Sequence, residues 1–458
     1  MTSVGRCTCS TSHAVVADLP VPVAPSRTTF CWPALIRSVR SLIAAGWSPA
    51  GSKSDTTWNG ATVRFKSVVG RMRPRYAVPL TVVPAVAQDS RVCRTGTSLT
   101  RSHFVRDDGP VTTTLPFPRT PDPRTAPTLR WGVLGPGYIA RESVTALRAE
   151  TDQVIQAVAS RDLTRAQAFA DEFGAHTAYG SYEELVNDPD VDIVYIATPH
   201  SEHHAQALLA LNAGKHVLVE KAFARNAAEA RDILDTAKAK GLLAMEAMWT
   251  RFLPGIDVVR QCLEDGLLGE VENVFADHGQ PLYPGGPQRL SDPALAGGAL
   301  LDLGMYPTSF ASFALGGIDT VTATGRLTDE GVDAEETILV TGTRGGRGLL
   351  HATMTTRTPT TASINGTAGR LELGDPDNPS SSWYAPSRVR FVSRDAQTDI
   401  SWEPESRTHG LHFEFCEAAR CVDAGLTESP LLPAAETLRI MEVLDAVRAD
   451  VGVTYPGE

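Results

Sequence analysis

Residues Arg130–Ala140, read Arg-Trp-Gly-Val-Leu-Gly-Pro-Gly-Tyr-Ile-Ala, constrain the fold more than any other stretch of this chain. A short apolar run ends in Gly-x-Gly-x-x-Ala and leads straight into a helical pattern. A strand that turns tightly into a helix N-terminus aims several backbone N–H groups at one spot, and the helix dipole adds partial positive charge there. Gly135 permits the tight turn, Gly137 removes a side chain where a pyrophosphate must come close, and Ala140 lets the helix pack on the strand. Gly-rich turns also arise for steric reasons alone. The strand–turn–helix context is what predicts a dinucleotide site here, with Tyr138 and Ile139 opening the helix beside it.

The pattern stays regular beyond this point. Leu129–Leu134 reads as a strand and Tyr138–Arg148 as a helix. Val154–Ser160 reads as a second strand, followed by a helix over Leu163–Phe173 that Gly174 closes. Ser181 and Glu184 form a capping box ahead of a short helix, Tyr182–Asn187. A short third strand is expected before that helix at Ala178–Tyr179, and three more at Val191–Ala197, His216–Glu220 and Leu242–Glu246, these last separated by helices at Glu202–Ala213 and Ala227–Lys240. This alternation implies βαβ units and an α/β domain over residues 128–247, a Rossmann-type doubly wound parallel sheet.

After Met248 the style changes. Helices are expected near Ile256–Glu264 and Leu300–Leu315, and alternating strands dominate from Val321 to about Trp402. Two helices, near Leu411–Ala424 and Pro433–Val451, close the chain. Residues 248–458 therefore read as an α+β domain with an open, largely antiparallel sheet.

Residues 1–127 differ in kind. They carry 16 Lys and Arg against 6 Asp and no Glu, whereas the remaining 331 residues carry 26 basic and 47 acidic side chains. No sustained periodicity runs through them. Three readings compete: a disordered tail, a targeting peptide, or a stretch outside the functional protein because the start lies too far upstream. The third is favoured, with disorder as its physical consequence. The net charge of −11 speaks against a nucleic-acid partner. No run of about 18 apolar residues is present, so no membrane span is expected. Four of the seven cysteines lie in the first 127 residues, and Cys262, Cys416 and Cys421 have no Cys-x-x-Cys spacing. A disulfide framework is not expected, which suits a reducing, cytoplasmic setting.

In an open α/β sheet, ligands bind beyond the carboxyl ends of the strands. Ser160 and Arg161 stand at the end of the second strand, where an NAD enzyme usually places an acid for the ribose 2′-hydroxyl. A hydroxyl and a guanidinium welcome a 2′-phosphate instead, which favours NADP; Asp162, one residue on, leaves NAD open. Thr198, Pro199, His200 and His203 follow the fourth strand. His200, His203 and His204 raise a metal reading, but no acid or Cys set of known spacing accompanies them, so no metal is expected. Lys221 follows the fifth strand directly: either it holds a substrate hydroxyl beside the nicotinamide, or it is a surface lysine paired with Glu220. Asp302 and Tyr306 are spaced i, i+4, so a helix puts an acid and a phenol on one face. Trp249, Arg251 and Phe252 follow the sixth strand.

Together these motifs resemble the glucose–fructose oxidoreductase/inositol dehydrogenase (Gfo/Idh/MocA) family, from about Leu129 to Pro456. Ala197-Thr198-Pro199-His200-x-x-His203 is similar to its Ala-Thr-Pro-Asn-x-x-His. Gly214-Lys215-His216-Val217-x-x-Glu220-Lys221 is similar to its Gly-Lys-His-Val-x-x-Glu-Lys-Pro, with Ala222 in place of the Pro. Asp302-x-Gly304-x-Tyr306-Pro307 resembles the branch that carries Tyr where inositol dehydrogenase-like members have His, and Met245–Pro254 is similar to the dimeric trans-dihydrodiol dehydrogenases and related sugar dehydrogenases.

The resemblance implies reversible hydride transfer between a secondary alcohol and NADP, or NAD. It implies a sugar, cyclitol or dihydrodiol substrate and a homodimer or higher homo-oligomer. By the same resemblance Lys221 and Tyr306 hold the reacting hydroxyl, and Asp302 orients them. Gly135, Gly137, Tyr138, Ile139, Ser160, Arg161, Thr198, Pro199, His200, His203 and Glu220 attend the cofactor, while Trp249, Arg251 and Phe252 border the substrate. A phenol, with an ordinary pKa of about 10, needs a nearby cation to act as a base at neutral pH, which Lys221 can supply. Two other classes stay open: a glycoside-processing enzyme with tightly held NAD, and a non-catalytic nucleotide sensor.

Overall fold

The computed structural model describes residues 114–375, 378, 381–405 and 410–458, together with the backbone of 56–58 and 61–63. Strands β1 (Thr56–Trp58) and β2 (Ala61–Val63) pair antiparallel in a unit, Met1–His103, that is separate from Phe104–Glu458. The rest of the expected extension, up to residue 113, lies outside the described residues.

Six strands build the first sheet of Phe104–Glu458: β3 (Arg130–Leu134), β4 (Val154–Ala159), β5 (Thr177–Tyr179), β6 (Ile193–Ile196), β7 (His216–Glu220) and β8 (Ala244–Ala247). Their order is β5-β4-β3-β6-β7-β8, and every pairing is parallel. Near-continuous runs such as Trp131, Val133 and Leu134, or Ile193–Ile196, are fully buried, as a sheet covered on both faces requires.

The crossovers are α1 (Tyr138–Glu150), α2 (Leu163–Phe173), α3 (Tyr182–Val186), α4 (His200–Asn212) and α5 (Ala227–Lys240). Their ends follow local chemistry. Asp162 caps α2, Gly174 closes it at φ +69°, and Ser181 with Glu184 forms the expected box at α3. The strand order reverses between β3 and β6, and this switch point opens the crevice where such folds take ligands.

The second sheet has eight strands: β9 (Val271–Gly279), β10 (Ile318–Leu327), β11 (Asp333–Gly342), β12 (Arg347–Thr353), β13 (Ala362–Gly366), β14 (Gly369–Leu373), β15 (Val389–Ser393) and β16 (Asp399–Trp402). The order is β10-β11-β12-β9-β13-β14-β15-β16, antiparallel except for the central β12–β9 pair. Strands alternate inward and outward residues, and the inner face packs on α7 (Met305–Leu315). The other helices are α6 (Pro254–Glu264), α8 (His412–Asp423) and α9 (Ala434–Val451).

Two sequence boundaries move. The last helices do not keep to the second sheet: Phe415 of α8 packs on Trp131 and Tyr195 of the first, at centroid distances of 4.7 and 4.8 Å. Packing onto these two sheets' helices also begins before residue 128. Leu115 is buried, and the Arg119 backbone N–H and guanidinium both donate to Asp257 of α6. The Gln153 amide donates to the Pro127 carbonyl, and the Arg420 guanidinium donates to the Asp122 carbonyl. Residues 115–127 thus form a strap held by α6, α8 and the Gln153 side chain. Its Pro-rich, non-periodic sequence gave no sign of this, because irregular backbone packs without repeating any pattern. Among the described residues no helix is long and apolar enough to cross a membrane.

Candidate active site

The crevice begins at the end of β3. Gly135 sits at φ +85°, a left-handed conformation open to glycine. A β-carbon there would lie 2.7 Å from Thr198 Cγ2 and 3.0 Å from the Ala197 carbonyl oxygen. Gly137, the N-cap of α1, differs: its φ is −91°, and a β-carbon would meet no protein atom nearer than 4.0 Å. Protein packing therefore does not demand glycine at 137, whereas a group seated over the helix N-terminus does. A cleft of about 430 Å³ opens there, lined by Pro136, Gly137, Tyr138, Arg141, Arg165 and Ala168. These residues fit the phosphate-bearing part of a dinucleotide.

At the end of β4 the Ser160 side chain is buried, and its Oγ accepts the Asp162 N–H at 3.2 Å. Asp162 does not turn toward the cleft. Its carboxylate caps α2 by accepting the Thr164 N–H at 2.9 Å. Arg161 is exposed, and Arg165, one helical turn on, reaches the cleft. Arg165 was missed from sequence, although its place in the first turn of α2, just after the loop with Ser160 and Arg161, was a usable signal.

A second centre forms beyond β7. The Lys221–Ala222 peptide bond is cis. Lys221 Nζ donates to the Asp302 carbonyl oxygen at 2.9 Å and to Asp302 Oδ1 at 3.1 Å. Arg289 donates to the same Oδ1 at 3.1 Å. Lys221 is therefore not a surface lysine paired with Glu220. Glu220 instead accepts from the Tyr195 hydroxyl at 2.5 Å, and it is wholly buried. Burial alone would raise the Asp302 carboxyl, but the charges of Lys221 and Arg289 outweigh it and hold it below the usual carboxylate range.

The expected single helix over Leu300–Leu315 opens with a π-helical turn, Leu300–Gly304, before α7. Asp302 and Tyr306 consequently face different partners. Tyr306 accepts from Trp249 Nε1 at 3.0 Å, and Lys221 Nζ lies 5.2 Å from its ring centroid. Burial pushes the Tyr306 phenol well above its ordinary pKa, and the Trp249 bond offsets only part of that rise. Burial therefore favours the protonated phenol, which weighs against Tyr306 as a base.

Four other expected residues are used differently. His203 is wholly buried, its ring nitrogens 2.9 Å from the Ala222 and Thr198 carbonyl oxygens, so it braces two loops. His200 Nδ1 meets the Ala296 carbonyl at 3.1 Å, and burial pulls its pKa down to about 3. Arg251 is buried against Ser309 and Phe313 and near Glu436, away from Lys221. Phe252 is part of the core. Both follow β8 in sequence, and in the tight turn Trp249–Phe252 it is Trp249 that bonds Tyr306.

The sequence reading missed His278 and Tyr384. The His278 ring stacks on Tyr384 at 4.6 Å and meets Tyr306 edge-on at 5.1 Å. A polar residue on the inward row of β9, after Val274 and Ala276, was its one signal. Tyr384 lies in an irregular loop and had none. Among the described residues no group of three or more His, Cys, Asp or Glu is arranged to hold a metal ion.

A switch-point crevice with a glycine loop, together with a half-buried lysine and a buried phenol, defines a class: the dinucleotide-dependent oxidoreductases. Residues 129–248 match the oxidoreductase family with an NAD-binding Rossmann fold, GFO/IDH/MocA, and residues 256–372 match the GFO/IDH/MocA C-terminal domain. The chain is 36% identical over 337 residues to trans-1,2-dihydrobenzene-1,2-diol dehydrogenase of Bos taurus, covering 72% of this chain and 98% of that one. It is 35% identical over 336 residues to the human enzyme of that name, with the same coverage. Among solved structures it resembles KijD10, a 3-ketoreductase from Actinomadura kijaniata in complex with NADP and TDP-benzene. That match has TM-score 0.62 and 28% identity over 71% of this chain and 98% of that one. A levoglucosan dehydrogenase complexed with NADH and levoglucosan shares the fold, with TM-score 0.64 and 20% identity over 71% of this chain and 98% of that one. The chain belongs to the GFO/IDH/MocA family and is an NAD(P)-binding oxidoreductase.

Proposed function

We propose that this enzyme interconverts a secondary alcohol and a ketone on a small polyhydroxylated substrate, a dihydrodiol, sugar or cyclitol, with NADP preferred. The observation that carries this reading is the Lys221–Asp302–Tyr306 group beyond the carboxyl edge of the parallel sheet. When bound, the nicotinamide supplies the hydride acceptor or donor. Tyr306 donates a hydrogen bond to the reacting oxygen, because its phenol stays protonated. Lys221 Nζ exchanges a proton with that oxygen, and Asp302 with Arg289 holds the ammonium in place. Trp249, Tyr384 and His278 form an aromatic wall that suits either a sugar face or a cyclohexadiene ring.

NADP preference is supported by Ser160, Arg161 and Arg165, and by the engagement of Asp162 as a helix cap. A homodimer is supported by the outer face of the second sheet. Leu339, Leu349 and Phe275 are paired neighbours across β11, β12 and β9, and are 51%, 43% and 44% exposed.

The deciding experiment follows NADP and NAD reduction with trans-1,2-dihydrobenzene-1,2-diol, levoglucosan and a panel of aldoses and cyclitols. Turnover of at least one with NADP is expected. No net reduction by any member, together with nicotinamide retained through purification, would favour the tightly bound NAD reading instead.

A further inference from the structure

The helix that carries Asp302 and Tyr306 starts in a π-helical turn, and a second irregularity faces it. In β11, Glu335 pairs with Arg326 but Asp333 pairs with Leu327, so Ala334 is an extra residue. Such a bulge re-aims side chains. It brings Asp333 and Glu336 to the same inner side, each 1% exposed. Asp333 Oδ2 accepts the Leu300 N–H at 2.5 Å, at the start of the turn. A β-carbon at Gly298 would collide with Asp333 Oδ1, and one at Gly304 with Glu336 Oε1. The two acids therefore underlie the turn from end to end.

Asp333 Oδ1 and both Glu336 oxygens meet no protein donor, yet the two carboxyls are within hydrogen-bond reach of each other. Two sealed carboxylates side by side cannot both stay ionised, and one proton between them satisfies both. The turn they underlie presents the Asp302 carbonyl that Lys221 Nζ binds at 2.9 Å. Any shift of its backbone therefore moves the ammonium.

We propose that Asp333 and Glu336 share one proton, and that this carboxyl pair positions the Leu300–Gly304 turn and, through it, Lys221. The kinetic part rests on the role given above to Lys221. Other charged or titratable groups facing the pair are Arg448 of α9, Tyr455 of the C-terminal segment and Glu335 of the same strand. The Tyr455 hydroxyl donates to the Gly297 carbonyl, next to the turn. Burial pushes Asp333 up to about 6 and Glu336 well above its ordinary value, so both shifts favour a proton held on the pair.

Two measurements need no substrate. Infrared spectra at pH 7 should show the carbonyl stretch of a protonated, water-sealed carboxyl, lost in Glu336→Gln. Hydrogen exchange at Leu300, corrected for intrinsic rate, should speed up about 10-fold as pH falls through the Asp333 titration, and Asp333→Asn should remove that pH dependence. The third measurement uses NADP and trans-1,2-dihydrobenzene-1,2-diol. Asp333→Ala should lower kcat about 10- to 100-fold with NADPH affinity unchanged.

An absent carboxyl band, a Leu300 exchange rate indifferent to Asp333, or wild-type kcat in Asp333→Ala would overturn the proposal, as would a parallel loss of NADPH affinity. If Asp333→Ala does not fold, the exchange profile of Asp333→Asn decides. If the wild type leaves the diol unoxidised, the substrate reading fails, and the infrared and exchange results still judge the pair.

Discussion

The two halves of the active site are made in opposite ways. The glycine loop comes from one contiguous stretch, opens onto a cleft of about 430 Å³, and is flanked by exposed arginines. The Lys221 centre is gathered from distant parts of the chain and is nearly closed, with Tyr306 7% and Trp249 8% exposed. Exposed charge is screened by water and salt, so the first half suits recognition of a phosphate-bearing ligand. Charge shielded from water acts more strongly on its neighbours, so the second half suits the movement of a proton at one atom. Binding and chemistry should therefore respond to different substitutions.

The largest expected effect is in the closed half. Lys221→Ala should lower kcat by about 10²–10⁴, the scale of positioned acid–base help, and Tyr306→Phe by about 10². NADPH affinity, measured by fluorescence titration, should barely change in either. Near-normal turnover in Lys221→Ala would erase the contrast between the two halves.

The open half should show the reverse. Arg165→Ala and Arg161→Ala should each weaken NADP binding about 10- to 100-fold, the value of hydrogen bonds to a charged group, with kcat at saturation little changed. Parallel titrations with NAD are the control. Equal losses for the two cofactors would remove the 2′-phosphate assignment.

The strap is expected to matter for stability and hardly for chemistry. Leu115→Ala should cost about 2 kcal/mol in denaturant unfolding, because a buried leucine is truncated. A chain starting at residue 128 should melt lower than one starting at residue 114. Identical melting would make residues 115–127 dispensable for stability.

The smallest effect concerns Glu246, which burial pushes up to about 7 from an ordinary 4.5. The folded protein binds this proton more tightly than the unfolded chain does. The stability tied to it is complete below the unfolded value and is lost as pH rises through about 7. Glu246→Gln should therefore be about 1–3 kcal/mol more stable than wild type at pH 8, a difference that shrinks by pH 5. Melting curves at the two pH values check the sign.

Much of the first sheet was legible in the sequence because its signals are local. Gly174 closing α2, the Ser181–Glu184 box and the strand at His216–Glu220 each depend on residues within a turn or two of each other. The motif residues Gly135, Gly137, Lys221, Asp302 and Tyr306 were also readable, since each stands at a strand end or a helix start. Arg251 and Phe252 misled because nearness in sequence to Trp249 says nothing of which side a tight turn sends them. His203 misled because a histidine near a ligand loop looks the same whether it faces the cleft or the backbone behind it.

By itself, the sequence determined the parallel sheet and the glycine loop, and it named the side chains proposed to react. Backbone periodicity, capping and glycine conformations act over a few residues, so the chain's order is enough to read them. Only the tertiary structure decided what those side chains touch. Lys221 meets Asp302 across 81 residues and Trp249 meets Tyr306 across 57. Tyr384 enters from a loop with no pattern, Asp333 turns inward through a bulge, and the last helices pack back onto the first sheet. Such contacts are selected by packing and by the exclusion of water from the whole fold, and no local rule of the chain encodes them.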